Sequence, residues 1–384
     1  MIYFDNAATT YPKPPMVISA CNMMMQKSAN PGRSGYKSAL NAAESVFNCR
    51  QKIADFFSLS DVENCILTPS CTISLNTVIY GVLKKGDHVV ISSFEHNSVL
   101  RPVKKLADKG IITYSIAQVF PGDDDSTVDS FRKCMNDKTK LLICTHASNV
   151  FGTKLPIKRI GALCKYYGVL FCVDAAQSAG VADINMENIE ADFLCAPGHK
   201  GLYGPMGTGV LLINSKTIPE SLYQGGTGSY TENLGEPMLL PDKFESGTVN
   251  LPGIAGLSAG VDFVRTKTVM RIRNHEMNLI LKLYNSLKSI KDVELYTQPP
   301  EEKYFVPLLS FNIKNKSSDE VSQILDSRFG ICVRSGIHCS PLAHKSMKTE
   351  EKGTVRVCPS AFTSTKDIDY LVNAVYLISG SKKY

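Results

Sequence analysis

Residues 191–204 read Ala-Asp-Phe-Leu-Cys-Ala-Pro-Gly-His-Lys-Gly-Leu-Tyr-Gly, and this stretch decides the fold. A short apolar run at 193–196 predicts a buried strand, which Pro197-Gly198 ends. The proline and glycine residues around Lys200 indicate that this lysine lies on a loop above a sheet, not on a solvated helix face. A lysine that forms a Schiff base with a carbonyl cofactor needs such a partly dehydrated position. Taken alone, the stretch is better explained by a surface lysine in a glycine-rich turn, so its surroundings must decide.

The composition is that of an ordinary globular protein, with 43% hydrophobic and 20% charged residues. The chain has 384 residues, which exceeds the size at which one core keeps growing and predicts two domains. The net charge is +6, but the basic residues are scattered, which does not favour nucleic-acid binding. We see no basic leader and no stretch approaching the ~20 apolar residues that span a bilayer. We therefore expect a cytoplasmic protein that does not contact membranes.

The twelve cysteines are irregularly spaced and often lie inside apolar runs. No CxxC pair occurs, so the sequence predicts no metal site. Cysteines of this kind are most often small buried hydrophobic residues in a reducing compartment.

Apolar runs alternate with helix-like stretches from about residue 60 to 215. This alternation predicts an α/β fold, with a mostly parallel sheet covered by helices on both faces. We predict a large domain at 15–259 and a smaller α+β domain formed by 1–14 and 260–384. The expected strands are 66–67, 88–92, 141–145, 169–173, 193–196, 210–213 and 308–313; the expected helices are 73–83, 98–109, 157–167, 254–273, 277–290 and 319–328.

Polar residues cluster at the predicted carboxyl ends of the strands, where sheets of this type bind ligands. Asp174 follows four apolar residues, and a carboxylate there needs a cationic partner. A pyridinium nitrogen, an arginine or a helix N-terminus would each serve. Asp174 precedes Lys200 by one strand–helix–strand unit, so both residues are expected on the same rim, with Gln177 close enough to bond a phenolic oxygen.

Two further segments point to the same rim. His96 lies at a strand end, where a histidine either satisfies a local hydrogen bond or stacks on an aromatic cofactor. Residues 68–74 (Thr-Pro-Ser-Cys-Thr-Ile-Ser) run from a strand into a helix. Free N–H groups and hydroxyls at a helix start suit a phosphate, although Ser and Thr are also common N-caps. Together these parts describe a site for pyridoxal phosphate (PLP).

The chain resembles the class V aminotransferase-fold enzymes, and within them the second, SUF-type group of cysteine desulfurases, along almost its full length. The resemblance implies a PLP-dependent transferase of fold type I. The ordered motifs that carry it are Tyr3-Phe4-Asp5-Asn6-Ala7-Ala8-Thr9-Thr10, Glu95-His96, Ser148-Asn149-Val150-Phe151-Gly152-Thr153, Val173-Asp174-Ala175-Ala176-Gln177, Gly198-His199-Lys200, Phe244-Glu245-Ser246-Gly247-Thr248, Arg334-Ser335-Gly336-Ile337-His338-Cys339 and Gly353-Thr354-Val355-Arg356.

The resemblance implies a role for each matching residue. Lys200 would bind the cofactor covalently and transfer protons, Asp174 would keep the ring nitrogen protonated, and His96 would stack on the ring. Arg356 would grip the substrate carboxylate as a two-point fork. The remaining implied contacts are Gln177 to the ring oxygen, Cys71 to the cofactor, Thr72 and His199 to the phosphate, Thr248 to the phosphate from the partner subunit of a homodimer, Asn149 near the ring and substrate carboxylate, and Asn6 and Ala8 in the substrate pocket.

Cys339 sets the desulfurases apart within this fold. The resemblance implies that its thiolate attacks the sulfur of L-cysteine, leaves a persulfide on the enzyme and releases L-alanine. Such a cysteine must be reachable and lie on a loop, which fits Cys339 better than the other eleven. From its chemistry alone an incidental role is equally open. His338 either tunes this thiol or forms a hydrogen bond within the loop.

Three rival functions use much of the same site. A selenocysteine lyase or cysteine-sulfinate desulfinase would act on close analogues of L-cysteine, and the first would survive loss of Cys339. A class V aminotransferase would form a keto acid, and a non-catalytic scaffold would only bind PLP or a sulfur-acceptor protein. The filled lysine, aspartate and arginine positions argue against the scaffold, so we expect an enzyme that passes sulfur to an acceptor.

Overall fold

The structure is a computed structural model that describes residues 1–31, 34–227, 232, 234–235 and 237–380. None of the helices in these ranges is long and apolar enough to cross a bilayer.

A seven-stranded sheet forms the centre of the larger part of the chain, in the order β2-β8-β7-β6-β5-β3-β4. β8 is antiparallel to both of its neighbours, and the remaining pairs are parallel. The mostly parallel sheet predicted from the alternating pattern is therefore confirmed. Its strands are β2 (Cys65–Thr68), β3 (His88–Ser92), β4 (Thr113–Ala117), β5 (Thr139–Thr145), β6 (Leu170–Asp174), β7 (Phe193–Pro197) and β8 (Gly209–Ile213).

Helices cover both faces of this sheet because alternate strand residues point to opposite sides. On β5, Leu142 and Cys144 pack into one apolar cluster, and Leu141 and Ile143 pack into the other. The helices of this part are α1 (Pro15–Lys27), α2 (Lys37–Phe57), α3 (Cys71–Val82), α4 (Asn97–Asp108), α5 (Asp124–Cys134), α6 (Ile157–Tyr167), α7 (Met186–Ile189) and α8 (Leu251–Lys267).

A second apolar core combines Phe4 with residues from 279 to 378. Its three-stranded sheet has the order β12-β10-β9, and β1 pairs in parallel with β11. The boundary after residue 259 stays a prediction. The elements are β1 (Ile2–Tyr3), α9 (Val269–Lys288), β9 (Val293–Leu295), β10 (Leu309–Ile313), α10 (Ser318–Phe329), β11 (Ile331–Cys332), α11 (Pro341–Ser346), β12 (Val355–Val357) and α12 (Thr365–Ser379).

The predicted break between two long helices at 274–276 is wrong. α8 and α9 are separated by Thr268 alone, whose backbone is left-handed with φ of 64°. The Thr268 hydroxyl accepts a hydrogen bond from the Arg271 N–H, which caps the start of α9. The chain therefore turns at a threonine cap, a signal weaker than the glycine or proline that usually marks such a corner.

Candidate active site

The carboxyl ends of β5, β6 and β7 open onto one cavity of about 230 Å³, which we call the site cavity. Asp174 ends β6, and Lys200 follows the end of β7 by three residues. The structure brings most of the predicted residues together there: Ala8, Cys71, Thr72, His96, Asn149, Asp174, Gln177, His199, Lys200 and Arg356 all line this cavity, as do Arg334 and His338.

The turn that carries Lys200 is fixed by the N-terminal segment. The carbonyl oxygen of His199 accepts hydrogen bonds from the Thr10 N–H at 3.1 Å and from the Lys13 ammonium at 2.8 Å. Gly201 is required on the other side, because a Cβ there would lie 2.3 Å from the Ala179 carbonyl oxygen. The N-terminal segment thus holds the peptide bond between His199 and Lys200, and the next residue packs closely against Ala179.

Burial sets the charge balance between Lys200 and Asp174. Desolvation lowers the pKa of Lys200, and the nearby Asp174 carboxylate opposes this shift. Asp174 is 2% exposed, and burial raises the pKa of its carboxyl group. Its Oδ1 accepts the Ala176 N–H at 2.9 Å and lies 3.7 Å from the Cys71 thiol, which donates to it. A lysine biased toward its neutral amine is suited to attack a carbonyl carbon.

His96 is a neutral ring at the start of α4. Its Nδ1 accepts the Ser98 N–H at 3.1 Å, which leaves Nε2 as the protonated nitrogen of the neutral imidazole. Desolvation and the nearby charges of Lys200 and Arg334 lower the pKa of His96 to about 4. An uncharged flat ring at this position can stack on an aromatic ligand without repelling a cationic one.

The start of α3 and His199 offer hydrogen-bond donors to an anion. Ser70 caps α3 by accepting the Ile73 N–H, and Thr72 in the first turn is exposed to the cavity. The Nδ1 atom of His199 is buried and has no hydrogen-bond partner among the described residues. Unpaired N–H groups of a helix start and an unpaired ring nitrogen are the groups that a phosphate would satisfy.

Arg356 of β12 is 1% exposed and forms an ion pair with Asp5 at 2.6 Å. It also donates to the Asn149 carbonyl oxygen at 2.9 Å, and its Nε is buried without a partner among the described residues. Desolvation lowers the pKa of Arg356, and Asp5 opposes this shift. Part of the guanidinium therefore stays available for a second carboxylate. Sequence reasoning missed the pairing with Asp5, although both residues lie in quoted motifs.

Cys339 is exposed on the loop between β11 and α11, outside the lining of the site cavity. The Arg334 guanidinium lies 3.8 Å from its sulfur. The Asn149 side chain bonds both neighbours of Cys339, donating to the His338 carbonyl oxygen at 2.7 Å and accepting from the Ser340 hydroxyl at 2.6 Å. Reachability and a nearby guanidinium both suit a reactive thiol.

His338 contacts Thr354, which precedes β12 and lies outside the loop of Cys339, so its two predicted roles stay predictions. Its Nε2 lies 3.0 Å from the Thr354 carbonyl oxygen, and its ring stacks on His344. Burial lowers the pKa of His338 to about 2, so the ring stays neutral inside the loop.

Besides Cys339, the predicted residues Asn6 and Thr248 also lie outside the lining of the site cavity. Asn6 is 4% exposed, and its amide bonds the Cys358 carbonyl oxygen at 2.8 Å and the Tyr11 N–H at 3.0 Å. Thr248 is exposed and lines two other cavities of its own chain, so it does not join Lys200 within one subunit. Gln177 lines the site cavity, and its amide nitrogen donates to the Ala7 carbonyl oxygen at 3.0 Å.

The family model of class-V aminotransferases matches residues 2–371. The chain belongs to this family. Among its relatives, a probable cysteine desulfurase of Methanothermobacter thermautotrophicus is 34% identical over 99% of this chain and 95% of its own length. One from Pyrococcus abyssi is 31% identical over 96% and 92%. The solved apo cysteine desulfurase of Thermococcus onnurineus superposes with a TM-score of 0.91, at 30% identity over 99% of this chain and 94% of its own.

These similarities group this class-V family member with the cysteine desulfurases. The predicted family and the predicted fold type are therefore confirmed. The roles of the individual side chains remain predictions that rest on the geometry given above.

Proposed function

We propose that this protein is a PLP-dependent cysteine desulfurase that converts L-cysteine to L-alanine and takes the sulfur onto Cys339 as a persulfide. One observation carries the proposal: Lys200, Asp174, His96 and Arg356 line one cavity, and Cys339 lies exposed beside Arg334. The names of the similar proteins support the same reaction.

The residues present fit PLP. Asp174 offers a buried carboxylate for the ring nitrogen, and the unpartnered His199 nitrogen and the start of α3 offer donors to the phosphate. When bound, PLP supplies an electron sink that makes the substrate Cα–H acidic and weakens its Cβ–S bond. Lys200 would hold the cofactor, and its free amine would remove the proton from Cα and return one to carbon.

The other side chains orient the substrate and receive its sulfur. Arg356 binds the substrate carboxylate through the N–H groups that its bonds to Asp5 and Asn149 leave unused. The Cys339 thiolate attacks the substrate sulfur, so that an S–S bond forms as the Cβ–S bond breaks. Protonation at carbon completes L-alanine, and the sulfur stays on the protein for an acceptor. One thiol and L-cysteine thus yield one persulfide and L-alanine, with no external oxidant.

We also propose a homodimer in which Thr248 reaches the phosphate bound by the partner subunit. Thr248 does not line the site cavity of its own chain. Large apolar side chains are exposed on α1 and α2, including Ile18, Met25 and Phe47, and Phe47 lines a cavity together with Thr248. Exposed apolar surface of this kind marks an interface. Sedimentation of the purified chain tests the dimer.

The twelve free cysteines agree with a reducing, cytoplasmic setting.

The function is tested on purified protein supplied with PLP. We expect a visible absorbance band, and a borohydride-trapped adduct that peptide mass spectrometry assigns to Lys200. Addition of L-cysteine should then release alanine and, with a reducing thiol, sulfide in equal amounts. An adduct at another residue, or production of a keto acid in place of alanine, would contradict the proposal. Lys200→Ala is the matched control and should give no adduct.

A further inference from the structure

A second, smaller cavity, which we call the rear cavity, is lined by both Lys200 and a buried carboxyl group. The rear cavity of about 30 Å³ has room for at least one water molecule. Lys200 and Glu276 both line it, as do the polar residues Asn6, Thr10 and Gln177. Lys200 also lines the site cavity, so it contacts both spaces.

Glu276 lies on α9 and is 4% exposed. Its Oε1 accepts a hydrogen bond from the Tyr203 hydroxyl at 3.4 Å. Within the described part of the chain, no cation forms an ion pair with it. Burial raises the pKa of Glu276 to about 8, so the carboxyl group changes its charge close to neutral pH.

A purely structural role would be to hold Tyr203, which follows Lys200 in the same turn. Tyr203 has left-handed backbone with φ of 57°, and its hydroxyl accepts the Ala361 N–H at 2.9 Å. A neutral glutamine would accept the same phenolic hydrogen without the cost of a buried ionisable group. Holding Tyr203 therefore does not explain why a carboxyl group is buried here, which suggests that its proton has a use.

We propose that Glu276 exchanges protons with Lys200 through one water molecule in the rear cavity. The Lys200 ammonium gives a proton to the water as the water gives one to the Glu276 carboxylate. This leaves a neutral amine, an unchanged water and a carboxylic acid, and the reverse transfer recharges Lys200. The inference rests on the proposed role of Lys200 as the proton-transferring amine.

The other titratable groups around Glu276 do not compete for this proton. Tyr203 faces it from the Lys200 turn, and burial raises the pKa of its phenol well above the ordinary value. Cys358 lines the rear cavity after β12, and burial likewise raises the pKa of its thiol. Both groups stay protonated near neutral pH, so Glu276 is the one among these three that gains and loses a proton there.

The test compares Glu276→Gln with the wild type and with Tyr203→Phe as the matched control. The amide of Glu276→Gln can still accept a hydrogen bond from Tyr203 but cannot carry the proton, whereas Tyr203→Phe removes the contact and keeps the carboxyl group. The first measurement is acetylation of Lys200 by acetic anhydride in the full-length apo chain as a function of pH, read by peptide mass spectrometry. It needs no cofactor and reports the charge of the amine directly.

Glu276→Gln removes a carboxylate that stabilises the ammonium, so it should lower the pH midpoint of Lys200 acetylation by about half a unit or more. On the rising part of the curve this shift corresponds to about threefold faster labelling. Tyr203→Phe should keep the wild-type midpoint. In the holoenzyme, alanine formation should rise through an apparent pKa near 8 in the wild type, and Glu276→Gln should lack that limb. Matching midpoints and pH profiles in the wild type and Glu276→Gln would overturn the inference. Failure to trap an adduct at Lys200 would instead overturn the proposed function.

Discussion

Asp5 and Arg356 form an ion pair of 2.6 Å across 351 positions of the chain. The arginine side chain is 1% exposed and the aspartate 22%, so the guanidinium depends on this carboxylate as its counter-charge. Asp5 therefore keeps Arg356 charged and oriented before any substrate carboxylate arrives.

Asp5→Asn should lower the free energy of unfolding by about 3 kcal/mol, because it leaves a buried guanidinium without its counter-ion. Urea denaturation at pH 7 measures this change. Asp108→Asn is the matched control, since the Lys104–Asp108 pair is exposed on both sides, and it should leave the free energy of unfolding nearly unchanged. Equal decreases in the free energy of unfolding of the two variants would show that the Asp5–Arg356 pair stabilises the protein no more than an exposed pair does.

Arg334→Gln should slow the alkylation of Cys339 by iodoacetamide at pH 7 several-fold. The guanidinium lies 3.8 Å from the sulfur, and a nearby cation stabilises the reactive thiolate. Peptide mass spectrometry with limited reagent gives the rate at this cysteine alone. Arg328→Gln provides the control, because Arg328 contacts Phe329 on α10 and should leave the rate unchanged. An unchanged rate in Arg334→Gln would mean that the contact does not activate the thiol.

Cys339→Ala should reduce sulfide release from L-cysteine by about a hundredfold or more, because the nucleophile is lost. The trapped adduct at Lys200 should remain, which separates loss of sulfur transfer from loss of the cofactor. Cys134→Ser, a half-buried cysteine on α5, should retain activity. Normal turnover of L-cysteine by Cys339→Ala would favour a lyase or an aminotransferase over the desulfurase. L-selenocysteine provides the comparison substrate.

Acid should destabilise the protein through its buried histidines. Burial lowers the pKa of His146 to about 3 in the folded state, against about 6.5 when unfolded. Between these values the unfolded state binds more protons, so stability falls with decreasing pH by up to ~1.4 kcal/mol per pH unit for each such histidine. His146→Gln should flatten the decline between pH 6.5 and 4 in urea titrations. If stability falls with pH equally in the wild type and His146→Gln, groups other than His146 cause the acid sensitivity.

The sequence pattern predicts those elements whose apolar residues are continuous and well bounded. The strand at 88–92 and the helix at 157–167 have the predicted limits. The helix at 157–167 ends at Gly168, which adopts the left-handed conformation. A glycine at such a position predicts the end of a helix from the sequence. α1 and α2 were not predicted, because they bury only part of their surface and expose Met23 and Leu40.

The candidate site is partly visible in the sequence for a similar reason. Residues at the ends of neighbouring parallel strands must share a rim, which brings Asp174 and Lys200 together from topology alone. Pairings between distant segments leave no local pattern. Asp5 meets Arg356 only when the N-terminal segment packs beside β12, and Glu276 meets the rear cavity only when α9 packs near the Lys200 turn.

The hydrogen bonds from Thr10 and Lys13 to the His199 carbonyl oxygen also determine when the Lys200 turn can form during synthesis of the chain. The same N-terminal segment is tied to the far end of the chain, since the Asn6 side chain bonds the Cys358 carbonyl oxygen. A nascent polypeptide stalled before residue 358 would already contain Lys200 but lack this bracing. Chains truncated before residue 358 should be inactive, because the N-terminal segment that holds the Lys200 turn then lacks its contact with Cys358.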